Sequence, residues 1–351
     1  MEKIENSTCT IFIDEDFKGF NNNINKIYDK VLIISDKNVS KYHLKDLVEN
    51  ISLNNIFEYI IPSGEGSKSI YKYEDIINYC VEINLSRKSL IVALGGGVVG
   101  DISGFVASTY MRGIDLVQVP TSLLAQVDSS IGGKVGINLG NIKNIIGSFY
   151  QPKFTYININ VLKTLPNEEF IGGMAEVIKY AVIYDYKFLD YLIENSEQIL
   201  NREIEFLKYI VIKCATIKAK IVSEDEKENG LRKILNFGHT FGHGLEKLCK
   251  ISHGYAVSIG MNMAFKLALN ENLINKDYYD KFTKVCNKYK LPLTFNLNED
   301  VINIFEIMKN DKKNSFSKIN LVLPISYGKV EIIDYIDDEK IIDVIKECHN
   351  A

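Results

Sequence analysis

The chain has no Cys-x-x-Cys pair: Cys9, Cys80, Cys214, Cys249, Cys286 and Cys348 are scattered through 351 residues. This excludes a zinc ribbon and a disulfide frame and leaves reduced core thiols, the pattern of a cytosolic chain. No apolar run is long enough for a bilayer. The longest, residues 90–100, is interrupted by glycines and ends at Asp101, far short of the ~18 residues a span needs. The opening residues MEKIENSTCTIF are charged and lack the apolar stretch of a signal peptide, so neither leader nor membrane anchor is expected. There is no basic excess either. Lys and Arg total 41 against 45 Asp and Glu, a net charge of −4, which argues against a nucleic-acid partner because phosphate backbones need a basic face. A small anion held by a local cluster of cations remains open. The peptidase signature H-E-x-x-H is missing, since Thr240 and Phe241 follow His239.

What is present is ordinary globular material, 46% hydrophobic and 25% charged, in a chain long enough for two domains. The first half alternates. Residues 31–35 (VLIIS), 59–62, 89–94, 115–119 and 154–159 read as short buried strands. Residues 41–52 and 69–85 have helical spacing, with Ile70, Tyr73, Ile76, Ile77 and Cys80 on one face. Strands separated by helices predict a parallel sheet covered on both sides. Beyond Leu165-Pro166 the pattern turns helical, over 168–184, 186–200, 204–222, 237–250, 257–270 and 276–288, with a late hairpin from 319–324 and 329–333. Proline stops one element and opens the next. The expected fold class is therefore α/β: a Rossmann-like parallel-sheet domain over 1–165, then a mainly α-helical domain over 166–351.

Four constellations carry chemistry. Gly95, Gly97 and Gly100 fit G-x-G-x-x-G between a predicted strand and a predicted helix, where glycine lets backbone approach a pyrophosphate and the helix N-terminus attracts its charge. A tight, closely packed turn would leave the same trace. Asp36, closing an early strand, suits a ribose hydroxyl or a helix cap. Second, three of the five histidines, His239, His243 and His253, lie within fifteen residues. His239 and His243 share a helical face, and two imidazoles with a carboxylate make an open catalytic zinc shell; spacing alone does not say which two. Third, residues 120–134 are rich in small polar residues and glycine, read as a long structured loop, with Arg112, Lys134 and Lys143 nearby to suit a phosphate. Fourth, the charge run Asp225-Glu226-Lys227-Glu228 leads through Arg232 and Asn236 directly into the histidine cluster. A solvated helix end is the plain account of such a run.

Taken together these segments resemble the 3-dehydroquinate synthase family. The matching stretches are SGEGSK (63–68), Gly95 to Asp101, YMRG (110–113), 119–134, KNIIG (143–147), EVIK (176–179), 225–243 and His253-Gly254. The resemblance implies a homodimeric enzyme holding NAD and one zinc or cobalt ion. Such enzymes turn 3-deoxy-D-arabino-heptulosonate 7-phosphate into 3-dehydroquinate and phosphate in the shikimate pathway. It further implies metal ligation by Glu176, His239 and His253 and acid–base roles for Glu228 and His243. Substrate contacts would be Arg112, Asp128, Lys134, Asn144, Lys179, Lys218, Arg232 and Asn236, with a further lysine from Lys312 or Lys313. The NAD site would comprise Asp36, Glu65, Lys68, Gly96, Gly97, Val98, Gly100, Asp101, Thr121, Ser122, Lys134, Lys143, Val161, Leu162, Lys163 and Thr164. Tyr255 departs from a common glutamate, Ser122 from a frequent threonine, and the spacing of fourteen positions from His239 to His253 is shorter than in many relatives.

Three other functions compete. A sibling cyclase making an inosose or valiolone ring would meet no substrate carboxylate. A metal-dependent polyol dehydrogenase would exchange NAD freely and need no phosphate-binding lysines. An inert ligand-binding relative would be expected to have lost a metal ligand or a base.

Overall fold

The apolar runs of the first half form a seven-stranded sheet in the computed structural model, which describes residues 1–350 apart from 6, 141, 298–299 and 310–318. The strands are β1 (Glu2–Glu5), β2 (Thr10–Asp14), β3 (Val31–Asp36), β4 (Ile56–Ile61), β5 (Leu90–Gly95), β6 (Asp115–Pro120) and, after the separate hairpin of β7 (Lys134–Leu139) and β8 (Ile142–Phe149), β9 (Phe154–Asn158). Their order is β1-β2-β9-β6-β5-β3-β4, and every pairing except β1 with β2 is parallel. Successive side chains of a strand point to opposite faces, so each central strand feeds two cores. Leu32, Ile34, Ile91 and Ala93 pack with helices Ile70–Glu82 and Gly97–Thr109. Val31, Ile33, Val92 and Leu94 pack with Phe17, Phe20, Leu44 and Leu47 on the other face.

From β3 the chain steps outward to β4, then returns to place β5 on the other side of β3. The carboxyl ends of β3 and β5 therefore flank a switch point, where open α/β sheets bind ligands. The chain divides into two compact units, Met1–Pro166 with Leu207–Lys227, and Asn167–Phe206 with Glu228–Ala351. The second is built on helices Asn167–Tyr184, His239–Cys249, His253–Asn270 and Lys276–Lys288, with a hairpin of β10 (Leu321–Ser326) and β11 (Lys329–Ile333).

Several expectations need correction. Residues 120–134 are not a long loop. A helical turn, Ala125–Ser129, follows β6, and Gln126 is fully buried, its amide donating to the Pro120 and Asn158 carbonyls at 3.2 and 2.9 Å. The small polar residues satisfy buried backbone there, which composition alone cannot distinguish from solvation. Lys134 and Lys143 sit on the unforeseen β7–β8 hairpin. The helix expected from 257 starts at His253. The expected helix at 186–200 breaks at Asn195, giving Tyr186–Glu194 and Ser196–Leu200.

Candidate active site

In the first unit the expected cofactor residues gather at the carboxyl ends of neighbouring strands. Asp36 ends β3, Glu65 and Lys68 follow β4, Gly96 and Gly97 follow β5, Thr121 and Ser122 follow β6, and the short helix Ile159–Thr164 follows β9. The glycines divide their tasks. A Cβ on Gly95 would fall 2.5 Å from Val99, and one on Gly100 2.9 Å from Gln118 Oε1, so both serve strand–helix packing. Cβ atoms on Gly96 and Gly97 would instead enter a cradle faced by Ser122 Oγ and Ser129 Oγ, at 3.4 and 3.2 Å. That cradle lies at the N-terminus of helix Gly97–Thr109, whose Gly96 cap offers no side chain to its amides. An anion of pyrophosphate kind fits such an end. Asp36 caps its own helix, accepting from the amides of Asn38 and Val39 and from Ser63 Oγ at 2.9 Å. Val161 and Leu162 are buried, and Thr164 Oγ1 contacts His43 Nε2 at 2.7 Å.

Beside the glycine turn lies a charged cluster. Buried Lys68 donates to Asp101 and to Asn144 Oδ1, the latter at 2.5 Å. Buried Lys218 donates to the Asp128 carboxylate and, at 2.6 Å, to the Asp128 carbonyl. Burial pushes the Asp101 carboxyl up, while Lys68 foremost and Lys218 beyond it draw it back. Arg112, Lys134 and Lys143 are exposed. Met111 and Arg112 both hold left-handed backbone, φ 49° and 69°, a costly conformation for non-glycine residues.

The second unit carries the histidines. Glu176 lies in the buried helix Asn167–Tyr184 at 1% exposure, and Oε1 faces His239 Nε2 at 3.5 Å and His253 Nε2 at 3.4 Å. The three ligand atoms lie within 4.8 Å of one another. His239 Nδ1 donates to the Phe237 carbonyl at 3.0 Å, which leaves the Nε2 lone pair directed at the shell. Glu176 Oε2 is paired with the buried Lys179 ammonium at 2.5 Å, which leaves Oε1 to face the two imidazoles. A buried carboxylate with two converging imidazoles could hold a divalent metal ion as a three-ligand group. Burial alone would lower the His253 pKa, but Glu176 and Glu246 overcome it and hold it up to about 9; the site favours positive charge. Close helix approach sets this geometry. A Cβ on Gly254 would fall 2.1 Å from the Gly172 carbonyl, so only glycine lets the two helices bring His253 to Glu176.

His243 lies one turn beyond His239, ring centroids 5.8 Å apart, and falls outside the three-ligand group. Asn236 donates to Glu228 Oε1 at 2.7 Å, and Arg232 is 2% exposed in the turn between them. Lys312 and Lys313 lie outside the described residues. Sequence reasoning missed Glu246, whose Oε2 is 3.6 Å from His253 Nδ1. The signal was there: seven residues after His239 and three after His243, it shares their helical face. Carboxylates behind ligating histidines raise their basicity and fix their orientation. Glu246→Ala should weaken zinc affinity about 10- to 100-fold, read by competition against a chelating dye; unchanged affinity would show that Glu246 does not support the shell.

The fold is that of the sugar-phosphate cyclases. The structure superimposes on 2-deoxy-scyllo-inosose synthase complexed with carbaglucose-6-phosphate, NAD+ and Co2+, with TM-score 0.89 at 24% identity over 99% of this chain and 100% of that one. It also matches 2-epi-5-epi-valiolone synthase from Streptomyces hygroscopicus subsp. jinggangensis, with NAD+ and Zn2+ bound, at TM-score 0.89 and 20% identity over 99% and 98% of the two chains. Residues 58–172 match the 3-dehydroquinate synthase N-terminal family and 173–314 its C-terminal family. The 3-dehydroquinate synthase of Thermoanaerobacter sp. (strain X514) is 47% identical over 324 residues, 90% of each chain. The chain belongs to the 3-dehydroquinate synthase family.

Proposed function

We propose that the chain converts 3-deoxy-D-arabino-heptulosonate 7-phosphate to 3-dehydroquinate and phosphate, with NAD and one zinc or cobalt ion. The observation that carries this reading is the Glu176 carboxylate, buried beside the Lys179 ammonium with two imidazole nitrogens converging on Oε1 at 3.4 and 3.5 Å. Glu176, His239 and His253 would hold the metal, which when bound polarises a substrate hydroxyl and stabilises the charge developing there. The Gly96–Gly97 cradle, Asp36, Glu65, Lys68, Asp101, Thr121, Ser122, Lys143 and the segment Val161, Leu162, Lys163 and Thr164 would hold NAD, which would supply reversible hydride-transfer chemistry at the substrate alcohol.

The remaining side chains bind and move protons. His243 and Glu228 would exchange them with the substrate, and the Asn236 amide orients the Glu228 carboxylate. Lys134, Asn144 and Arg112 would take the phosphate, Lys218 and Arg232 the carboxylate, and Lys179 and Asp128 would complete the set. Cofactor binding is thus assigned to the domain 1–165, metal and substrate binding mainly to 166–351. A cytosolic homodimer is the proposed assembly. Supporting it are Cys9, Cys80, Cys214, Cys249, Cys286 and Cys348, none of them in a disulfide, and the exposed Leu139, Ile142, Ile145 and Phe149 of the β7–β8 hairpin.

Because the hydride leaves and returns in one turnover, phosphate release should vastly exceed NADH accumulation. Incubating the protein with the heptulosonate phosphate, NAD and zinc while following both products tests this. NADH rising in step with product would indicate a polyol dehydrogenase instead.

A further inference from the structure

Asn138 was not among the residues that the sequence singled out, yet three hydrogen bonds converge on it. Its backbone N–H donates to the Lys68 carbonyl at 2.8 Å. Its side-chain amide donates to Glu65 Oε1 at 2.7 Å, and its Oδ1 accepts the Asn144 backbone N–H at 2.9 Å. Lys68 Nζ closes a ring by donating to Asn144 Oδ1 at 2.5 Å.

The β7–β8 register explains why the ring exists. Ile137 pairs with Ile146 and Leu139 with Ile142, so the ladder is irregular where Asn138 stands. One residue of β7 there opposes Lys143, Asn144 and Ile145, a bulge of the kind that re-aims side chains next to active sites. Asn144 holds φ +52° in it, a left-handed conformation that asparagine tolerates better than most residues and that enforcement by a neighbouring hydrogen bond makes the settled one here. Asn138 Oδ1 supplies that enforcement, and its amide ties the bulge to the loop after β4.

We propose that Asn138 is a positioning residue that sets the Lys143–Asn144 bulge and the Glu65 carboxylate together, and so couples cofactor binding to substrate orientation. The inference rests on the synthase reading above, in which Glu65 and Lys143 meet NAD and Asn144 meets the substrate. One side chain then holds both, and its two arms are separable by mutation. Asn138→Ala removes both arms. Asn138→Asp keeps an acceptor for the Asn144 amide but sets a carboxylate against Glu65. Asn138→Asp with Glu65→Gln reverses donor and acceptor and re-forms the bond.

The test measures NAD affinity by calorimetry without substrate, phosphate-release kinetics and Tm for the wild type, these three variants and Glu65→Gln alone. Asn138→Ala should weaken NAD about tenfold and lower kcat/KM about a hundredfold, with Tm within about 4 °C of wild type. Asn138→Asp should recover most of kcat while binding NAD more weakly than Asn138→Ala, and the double variant should bind NAD as tightly as Glu65→Gln alone. The proposal is overturned if Asn138→Ala stays within about twofold of wild type in both measures, if its losses track a fall in Tm, or if the double variant binds NAD clearly more weakly than Glu65→Gln alone. Wild-type protein that released no phosphate would sink the synthase reading instead, and substrate-free calorimetry would still decide the Asn138–Glu65 arm.

Discussion

Stripping the metal from the protein should abolish phosphate release, and zinc or cobalt should restore it. The expected loss is at least about a thousandfold, because the charge stabilisation at stake is several kcal/mol. The structure also says which ligand to mutate. Glu176 is fully buried beside the Lys179 ammonium, so Glu176→Ala would strand a buried cation and confound lost binding with lost stability. His253 is a better probe. It is about one-third exposed, at 36%, and opens its helix, where alanine is well tolerated. His253→Ala should therefore lose zinc binding and turnover while circular dichroism and Tm stay near the wild type. Full activity after verified metal removal would overturn the three-ligand assignment.

Arg232→Ala should lower kcat/KM for the heptulosonate phosphate by on the order of 2–5 kcal/mol, while NAD affinity is unchanged. The substrate bears a carboxylate as well as a phosphate, whereas a plain sugar phosphate bears only the latter. A carboxylate taken out of water needs charge-assisted donors, and the planar guanidinium fork suits it. Composition alone would make Arg232 and Lys218 solvated cations. The structure buries both, at 2% and 5% exposure, and burying a charge is costly unless it is matched. Lys218 already donates to the Asp128 carboxylate and carbonyl, so Lys218→Ala should reduce kcat/KM and also Tm, as Asp128 loses its counter-charge. Arg232→Ala is the cleaner measurement. Wild-type kcat/KM in both variants would remove the basis for preferring the heptulosonate phosphate over the substrates of sibling cyclases.

Much of the first unit's sheet was legible because buried parallel strands leave contiguous apolar runs, as at residues 31–35 and 89–94, and β3 and β5 lie there. The β7–β8 hairpin was illegible for the opposite reason. β8, IKNIIGSF, is exposed through most of its length, so no alternation between core and solvent marks it. The helix expected from 257 starts earlier, at His253, and takes Gly254 into its first turn. Gly254 is a point of contact with the Gly172 backbone, information that resides in another helix.

By itself the sequence determined the kinds of chemistry this protein can hold: a glycine turn between strand and helix, three clustered histidines, a charge run leading into them, and local cations in an otherwise mildly acidic chain. Those are properties of residue type and short spacing, which local backbone geometry translates directly. The partnerships are made by tertiary structure, and residue type and spacing did not show them. Glu176 meets His239 and His253 across 63 and 77 residues of chain, Lys218 meets Asp128 across 90, and Asn138 reaches Glu65 across 73. Each depends on how helices cross or strands fall into register, and packing of the whole core sets those angles and registers. A single buried group such as Arg232 looks the same in sequence as a solvated one, because burial is a property of everything packed around it.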